Sequence, residues 1–225
     1  MRSIALVALV ALALPVVPIV PSAHAQGSGA DAALIAAAAR GDTGEIRRLL
    51  AAGARVNARD AAGRTALMAA TQGNRVEAAR VLIDARSDVN AKDAIEDSPY
   101  LLAGASGYVE ILRMTLSHGA NLASVNRYGG TALIPAAHHG HVDAVRVLLA
   151  TSIDVDHVNR LGWTALLEAV ILGDGGTAHV EIVRLLLARG ANPNLADREG
   201  VTPLAHARKR GHTAMSDAIA KAGGR

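Results

Sequence analysis

Residues 129–149 read Gly-Gly-Thr-Ala-Leu-Ile-Pro-Ala-Ala-His-His-Gly-His-Val-Asp-Ala-Val-Arg-Val-Leu-Leu, and much of this text returns along the chain at a fixed step. Thr65, Ser98, Thr131 and Thr164 are each 33 residues apart, and the next equivalent, Thr202, lies 38 further on, so one unit carries five extra residues. The residues after each of them run in parallel: Thr65-Ala66-Leu67, Ser98-Pro99-Tyr100, Thr131-Ala132-Leu133, Thr164-Ala165-Leu166 and Thr202-Pro203-Leu204. Chance does not place five such matches in phase. A period of this length marks a repeat architecture, in which units too small to bury their own apolar faces stack on their neighbours.

The positions within one unit carry its local structure. The Thr or Ser is an N-cap whose side-chain oxygen can accept an orphan amide, and Pro99 and Pro203 stand next, at a helical position that needs no amide hydrogen. A short Ala-rich helix comes after it. Gly41, Gly107, Gly140, Gly173 and Gly211 are expected to end it in equivalent places, with Asn74 in that role in the second unit, since Gly and Asn tolerate a left-handed turn. A second helix carries adjacent aliphatics, such as Val145, Leu148 and Leu149 or Val183, Leu186 and Leu187, and stops near Gly53, Gly119 or Gly190. The link onward holds Asn57, Asn90, Asn121 or Asn194 and then Gly63, Gly129, Gly162 or Gly200, as an extended turn requires. Six units are expected, at about 30–59, 60–92, 93–125, 126–158, 159–196 and 197–225, within one domain over 30–225.

Composition agrees with helices packed closely. The chain is 51% hydrophobic, which excludes a disordered polymer, yet it has no Phe and one Trp, so the core must be built from Ala, Leu, Val and Ile. The net charge of +3 is spread among both signs, with no run of five basic residues and no interleaved aromatics, so nucleic acid is not an expected partner. Cysteine is absent, which excludes disulfides, thiol catalysis and Cys-ligated zinc.

The first 25 residues read as an address. Arg2 precedes an apolar run from Ile4 to Val20 that is interrupted by Pro15 and Pro18, and Ala23-His24-Ala25 is a small-x-small cleavage signature. The run is short for the roughly 20 residues that span a bilayer. A cleavable signal peptide over 1–25 is therefore expected, followed by a short flexible lead over 26–29, no stable membrane insertion after cleavage, and a periplasmic destination.

The 33-residue period, with its Thr-Pro-Leu and Gly-Ala-Asn signals, resembles the ankyrin repeat family over residues 30 to 225. More narrowly, Gly162-Trp163-Thr164-Ala165-Leu166-Leu167-Glu168-Ala169 followed by Asp174-Gly175-Gly176 resembles a group of proteobacterial ankyrin-repeat proteins. The resemblance implies an all-α repeat solenoid of helix-turn-helix units with hairpin-like links. It also implies a non-enzymatic scaffold without a cofactor, monomeric, that binds another protein on its concave side. Carried over unit by unit, that surface comprises Arg64, Gln72, Arg127, Tyr128, His138, His139, Arg160, Leu161, Trp163, Ile171, Leu172, Arg198, Lys209 and Arg210. Trp, Tyr and Arg are the types enriched among binding hot spots, so Tyr128, Arg160, Trp163 and Arg198 are the expected anchors. Trp163 can equally be a wedge packed between neighbouring links. Polar residues at both ends, Arg48 in the first unit and Ser216 and Asp217 in the last, read as caps of a complete array.

Other chemistry is sparse. His138, His139 and His141 have metal-ligand character and support an alternative reading as a zinc or copper protein, but His141 shares its helix-start position with His179 and His212, and no His-Glu-x-x-His accompanies the three. The insertion Asp174-Gly175-Gly176-Thr177-Ala178 lacks the Lys-Ser/Thr of a phosphate loop and reads as a solvent-exposed loop. Glu168 has no partner for acid–base chemistry and is expected to accept hydrogen bonds from adjacent loops; Pro135, at the same place one unit earlier, should cost one helical hydrogen bond. The third unit should be the weakest, because Glu96 replaces the link Gly and Gly104 lies inside its first helix.

Overall fold

The computed structural model describes residues 23–225, and within them the helices follow one another in pairs, one pair per unit. These are α1 (Ala23–Arg40) with α2 (Thr43–Ala51), α3 (Ala66–Gln72) with α4 (Val76–Asp84), and α5 (Pro99–Ala105) with α6 (Val109–Ser117). The later pairs are α7 (Leu133–His138) with α8 (Val142–Leu149), α9 (Ala165–Ile171) with α10 (Thr177–Ala188), and α11 (Pro203–Lys209) with α12 (Thr213–Lys221). First helices pack on first helices and second on second, in chain order. One apolar cluster runs from Leu34 to Ile219, built on Ala, Leu, Val and Ile as the composition requires. The links contain turns and no strand among the described residues.

The expected signal peptide falls largely on residues outside those described. Residues 26–29, expected as a flexible lead, are helical backbone at the start of α1. No proline comes after Pro21 in this stretch, and a helix once nucleated gains a hydrogen bond for each residue added.

Four of the five expected N-caps form. Thr65, Ser98, Thr164 and Thr202 have extended backbones, and their side-chain oxygens accept the amides of Met68, Leu101, Leu167 and Ala205 at 3.2–3.3 Å. Thr131 is the exception: its hydroxyl is buried without a partner, and α7 starts two residues later. Pro135 is the cause. In the other units the residue at that place donates its amide to the cap carbonyl, as Ala69 does to Thr65 and Glu168 to Thr164, and proline has no amide hydrogen to give. The Thr131 carbonyl instead takes the Ile134 amide at 3.2 Å, which tightens the first turn and removes Ile134 from the hydroxyl.

The left-handed positions match the expected pattern with two corrections. Gly41, Gly107, Gly140, Gly211 and Asn74 have positive φ, but Gly173 does not; Gly175, at φ 75°, takes over in the fifth unit because the insertion delays the turn. The insertion is also not wholly loop, since Thr177 and Ala178 form the first turn of α10 and make it 12 residues long. Asn121 is two residues out of register with Asn57, Asn90 and Asn194, and its amide is instead received by the Asn90 side chain at 2.8 Å.

In the third unit Glu96 adopts φ 68°, the conformation that Gly63, Gly129, Gly162 and Gly200 hold at φ 73–86°. Gly104 has a different standing from the one expected: a Cβ there would lie 2.9 Å from the Cβ of Ala132, so this glycine is what lets the fourth unit approach. Glu96→Gly is therefore expected to stabilise the protein by about 1 kcal/mol, because it removes a left-handed non-glycine without touching the core. Urea denaturation and limited proteolysis between Asp93 and Ser106 check this. An unchanged midpoint with unchanged cleavage would show that the link conformation carries no strain.

The end caps divide. Arg48 is exposed, as a cap residue should be, with its guanidinium on Glu45 at 2.6 Å. Ser216, expected on a polar outer face, is buried, whereas Asp217 beside it is exposed.

Candidate functional site

The link tips are built by one carboxylate or amide in each. Asp60, Asp93, Asn126, Asn159 and Asp197 each accept the amides two and four residues ahead through a single side-chain oxygen, at 2.8–3.1 Å. Such side-chain bonds fold the chain back locally and hold the intervening side chain outward. This set escaped the sequence reading, although its signal was present as an Asp or Asn recurring with the period. Between units the tips are joined by backbone bonds, Ala94 amide to Ala62 carbonyl at 2.9 Å and Arg160 amide to Tyr128 carbonyl at 2.8 Å.

The residues held outward at the second, third, fourth and fifth tips are Ala62, Ile95, Tyr128 and Leu161, one repeat apart. Ile95, Tyr128 and Leu161 are 49–53% exposed, so three large apolar side chains form a row on successive tips. The Arg127 guanidinium lies 4.8 Å from the centre of the Tyr128 ring and 3.5 Å from Asp97. Burial pushes the Asp97 carboxyl up, outweighing the Arg127 charge beside it.

The expected anchors do not share one role. Arg160 Nη1 donates to the Arg127 carbonyl at 2.6 Å, and Arg198 Nη2 donates to the Arg160 carbonyl at 2.5 Å. Both also pack against a glycine of the preceding tip, Gly129 and Gly162 respectively. These two arginines therefore tie tip to tip. Trp163 is half-buried, its amide donating to Asn159 Oδ1 at 3.0 Å, while Tyr128 stands clear of the stack.

Beside the Tyr128 and Leu161 tips lies a cavity of about 350 Å³, between the tips and the ends of α7 and α9. Tyr128, Ile134, Pro135, Leu161 and Leu172 supply apolar wall, and Glu168, Asn159, His138, His139, Arg127 and Asp97 supply the polar groups. Glu168 is 6% exposed, and Asn159 Nδ2 donates to its Oε1 at 2.9 Å, as a loop donor was expected to do. Its Oε2 lies 3.4 Å from His138 Nδ1. Burial pushes the Glu168 carboxyl up to about 7, against the opposing pull of the Asn159 bond. Burial also lowers the His138 ring, with help from the charges of His139 and His179 when they are protonated.

The three clustered histidines do not converge. His138 and His139 stack with centroids 4.3 Å apart, whereas His141 turns toward the third unit, with its ring against Gly107. No group of three His, Cys, Asp or Glu among the described residues is arranged to hold a metal ion. His179 is spent on the insertion loop, with Nδ1 at 2.8 Å from Asp174 Oδ1 and Nε2 at 2.8 Å from the His138 carbonyl. Of the remaining expected face, Arg64 is paired with Asp60 at 2.7 Å, Ile171 is half-buried outside the cavity, and Lys209 and Arg210 are exposed one unit away.

A family model described as "Ankyrin repeats (3 copies)" matches residues 13–93 and 100–197, well over half of the chain. The chain belongs to the ankyrin repeat family. Among solved structures, an ankyrin repeat domain from Acinetobacter baumannii AYE is 58% identical with a TM-score of 0.83, covering 85% of this chain and 98% of that one. The ankyrin repeat protein EF0377 is 41% identical with a TM-score of 0.82 over the same shares. The ankyrin repeat domain of Bcl-3, of the IkappaB protein family, is 25% identical with a TM-score of 0.77, covering 86% of each chain. The ankyrin repeat protein YahD of Escherichia coli (strain K12) is 46% identical over 56 residues, 28% of its length. Ankyrin repeats generally mediate contacts between proteins and are typically non-enzymatic. No helix among the described residues is long and apolar enough to cross a membrane.

Proposed function

We propose that this ankyrin array is a protein-binding scaffold that grips a partner through its tips and groove, with the binding energy centred on the fourth and fifth units. The supporting observation is the row of Ile95, Tyr128 and Leu161 on successive tips, with Leu172, 41% exposed, beside it. Large apolar side chains that the core does not need, held rigidly next to a concavity, are what a partner can desolvate. The scaffold acts as a monomer without cofactor or nucleic acid, and it reaches the bacterial periplasm behind a signal peptide over residues 1–25. Intact-mass measurement of protein recovered from its host should find Gln26 at the amino terminus; a species retaining Arg2 contradicts the export reading.

Affinity capture from envelope extract, with Ala variants measured against the captured protein, tests the scaffold. Tyr128→Ala and Leu161→Ala should each weaken binding about thirtyfold, or about 2 kcal/mol, while changing stability by under about 0.5 kcal/mol. Arg160→Ala and Arg198→Ala should lower stability through the lost bonds between tips, and Trp163→Ala divides the two roles open to that ring by whether it moves affinity or the denaturant midpoint. Normal binding by both tip variants would place the interface on another face.

A further inference from the structure

The 350 Å³ cavity between the fourth and fifth units has a composition that the apolar tips do not account for. A carboxyl sits in it, 6% exposed, with one oxygen satisfied by Asn159 and the other facing only His138 at 3.4 Å, long for a hydrogen bond. Around it the wall is apolar, from Tyr128, Leu161 and Leu172 on the outside to Ile134 and Pro135 within. Equivalent places in neighbouring units are closed in other ways: Leu102 and Pro135 are apolar, and His206 is paired with Asp197 at 2.6 Å. Of these four units, the fifth alone leaves a carboxylate oxygen at the groove without a matched donor.

A long aliphatic stem ending in a cation matches such a cavity, because the stem covers the wall while the head meets the carboxylate. The charged neighbours do not already fill that role. Arg127 is directed to Asp97 and stacked over Tyr128, and His206 is held by Asp197 in the next unit. His138 and His139, from the helix packed against Glu168, are rings that stack on each other. We infer that this cavity receives an arginine side chain of the partner protein, with Glu168 accepting from the guanidinium and the Tyr128 and Leu161 side chains covering its stem. The planar guanidinium suits a site beside stacked rings better than an ammonium does. The inference rests on the scaffold reading and names the chemistry of the partner segment.

Binding must be linked to protons. The cation requires the ionised carboxyl, whose titration near 7 means that affinity rises with pH across neutrality and levels above it. Protonation of His138 at lower pH acts in the same direction, by repelling the guanidinium.

The test uses the full array and three capped tripeptides, acetyl-Ala-Arg-Ala-amide and its norleucine and glutamate counterparts, titrated while methyl signals of Ile134, Leu161 and Leu172 are followed by NMR. The arginine peptide should bind with a Kd on the order of 1 mM at pH 8. Its affinity should be at least about tenfold higher than that of the norleucine peptide, and should fall about tenfold at pH 6. Glu168→Gln, which keeps an acceptor for Asn159, should abolish the preference for arginine. The pH series on the unaltered protein makes the test independent of how that variant folds. Absence of arginine-peptide binding, preference for the glutamate peptide, or equal binding by Glu168→Gln each overturns the inference. The scaffold reading fails separately, when capture with the unaltered chain returns no protein, a measurement that uses no peptide.

Discussion

Replacing Glu168 by glutamine is expected to raise the stability of the array by about 3 kcal/mol at pH 8 and to leave it unchanged at pH 4. In the folded chain burial holds the carboxyl at about 7, whereas the unfolded chain titrates near the ordinary 4.5. The folded state therefore binds this proton more tightly. Its stabilising effect is full below about pH 4.5, declines as pH rises toward 7, and is gone above that. Glutamine cannot ionise, and its carbonyl can still accept from Asn159, so it escapes the penalty at high pH and loses nothing at low pH. Urea midpoints of both proteins at pH 4, 6 and 8 provide the measurement. A midpoint difference that is the same at all three values would mean that Glu168 is solvated as an ordinary surface carboxylate, and a less stable variant at pH 8 would mean that the charge is compensated.

Gly173→Ala is expected to cost about 3 kcal/mol or more, a larger effect than the same change at the other helix-ending glycines. A Cβ at Gly173 would stand 2.2 Å from the Ala169 carbonyl oxygen and within 2.7–2.8 Å of the His179 ring. Neither can yield easily: the carbonyl belongs to α9, and His179 is fixed at both nitrogens by Asp174 and the His138 carbonyl. Overpacking of a well-filled site costs 1–3 kcal/mol or more, against roughly 1 kcal/mol for a left-handed Gly→Ala with open space around it. Gly211 is such a control, with positive φ and nothing near its missing Cβ. Denaturation of the Gly173→Ala and Gly211→Ala variants side by side decides the point. Equal losses would mean that the insertion loop moves aside and that the contact is not rigid.

The repeat itself was legible because stacking repeats a local requirement. Each unit needs a cap, an Ala-rich first helix, a left-handed exit and an aliphatic second helix, and each need leaves a residue type at a fixed step. Thr65, Ser98, Thr164 and Thr202 cap their helices where the period puts them, and Glu96 adopts the left-handed conformation its place demands. Departures arose where one unit's chemistry acts on a second position. Pro135 silences the cap of Thr131 four residues away, Ala132 turns Gly104 from a flaw into a clearance, and the five-residue insertion transfers the left-handed turn from Gly173 to Gly175.

For the candidate site the division is sharper. Tyr128, Leu161, Leu172, His138 and His139 could be placed on the inner face from the period and the family resemblance alone, since outward positions repeat as regularly as inward ones. Sequence by itself thus determined the array and its register. Only the tertiary structure decided which of those residues are free and which are committed. Arg160 and Arg198 have the same chemistry as Arg127, but their guanidiniums reach carbonyls of the preceding tip, a contact set by the spacing between units. Glu168 looks like a lone carboxylate in the text and becomes a buried acid, pushed up to about 7 by the desolvation that stacking imposes and only partly drawn back by the Asn159 bond. A periodic pattern encodes what every unit shares, whereas desolvation and hydrogen-bond geometry depend on how particular neighbours meet, and those meetings exist only after the units stack.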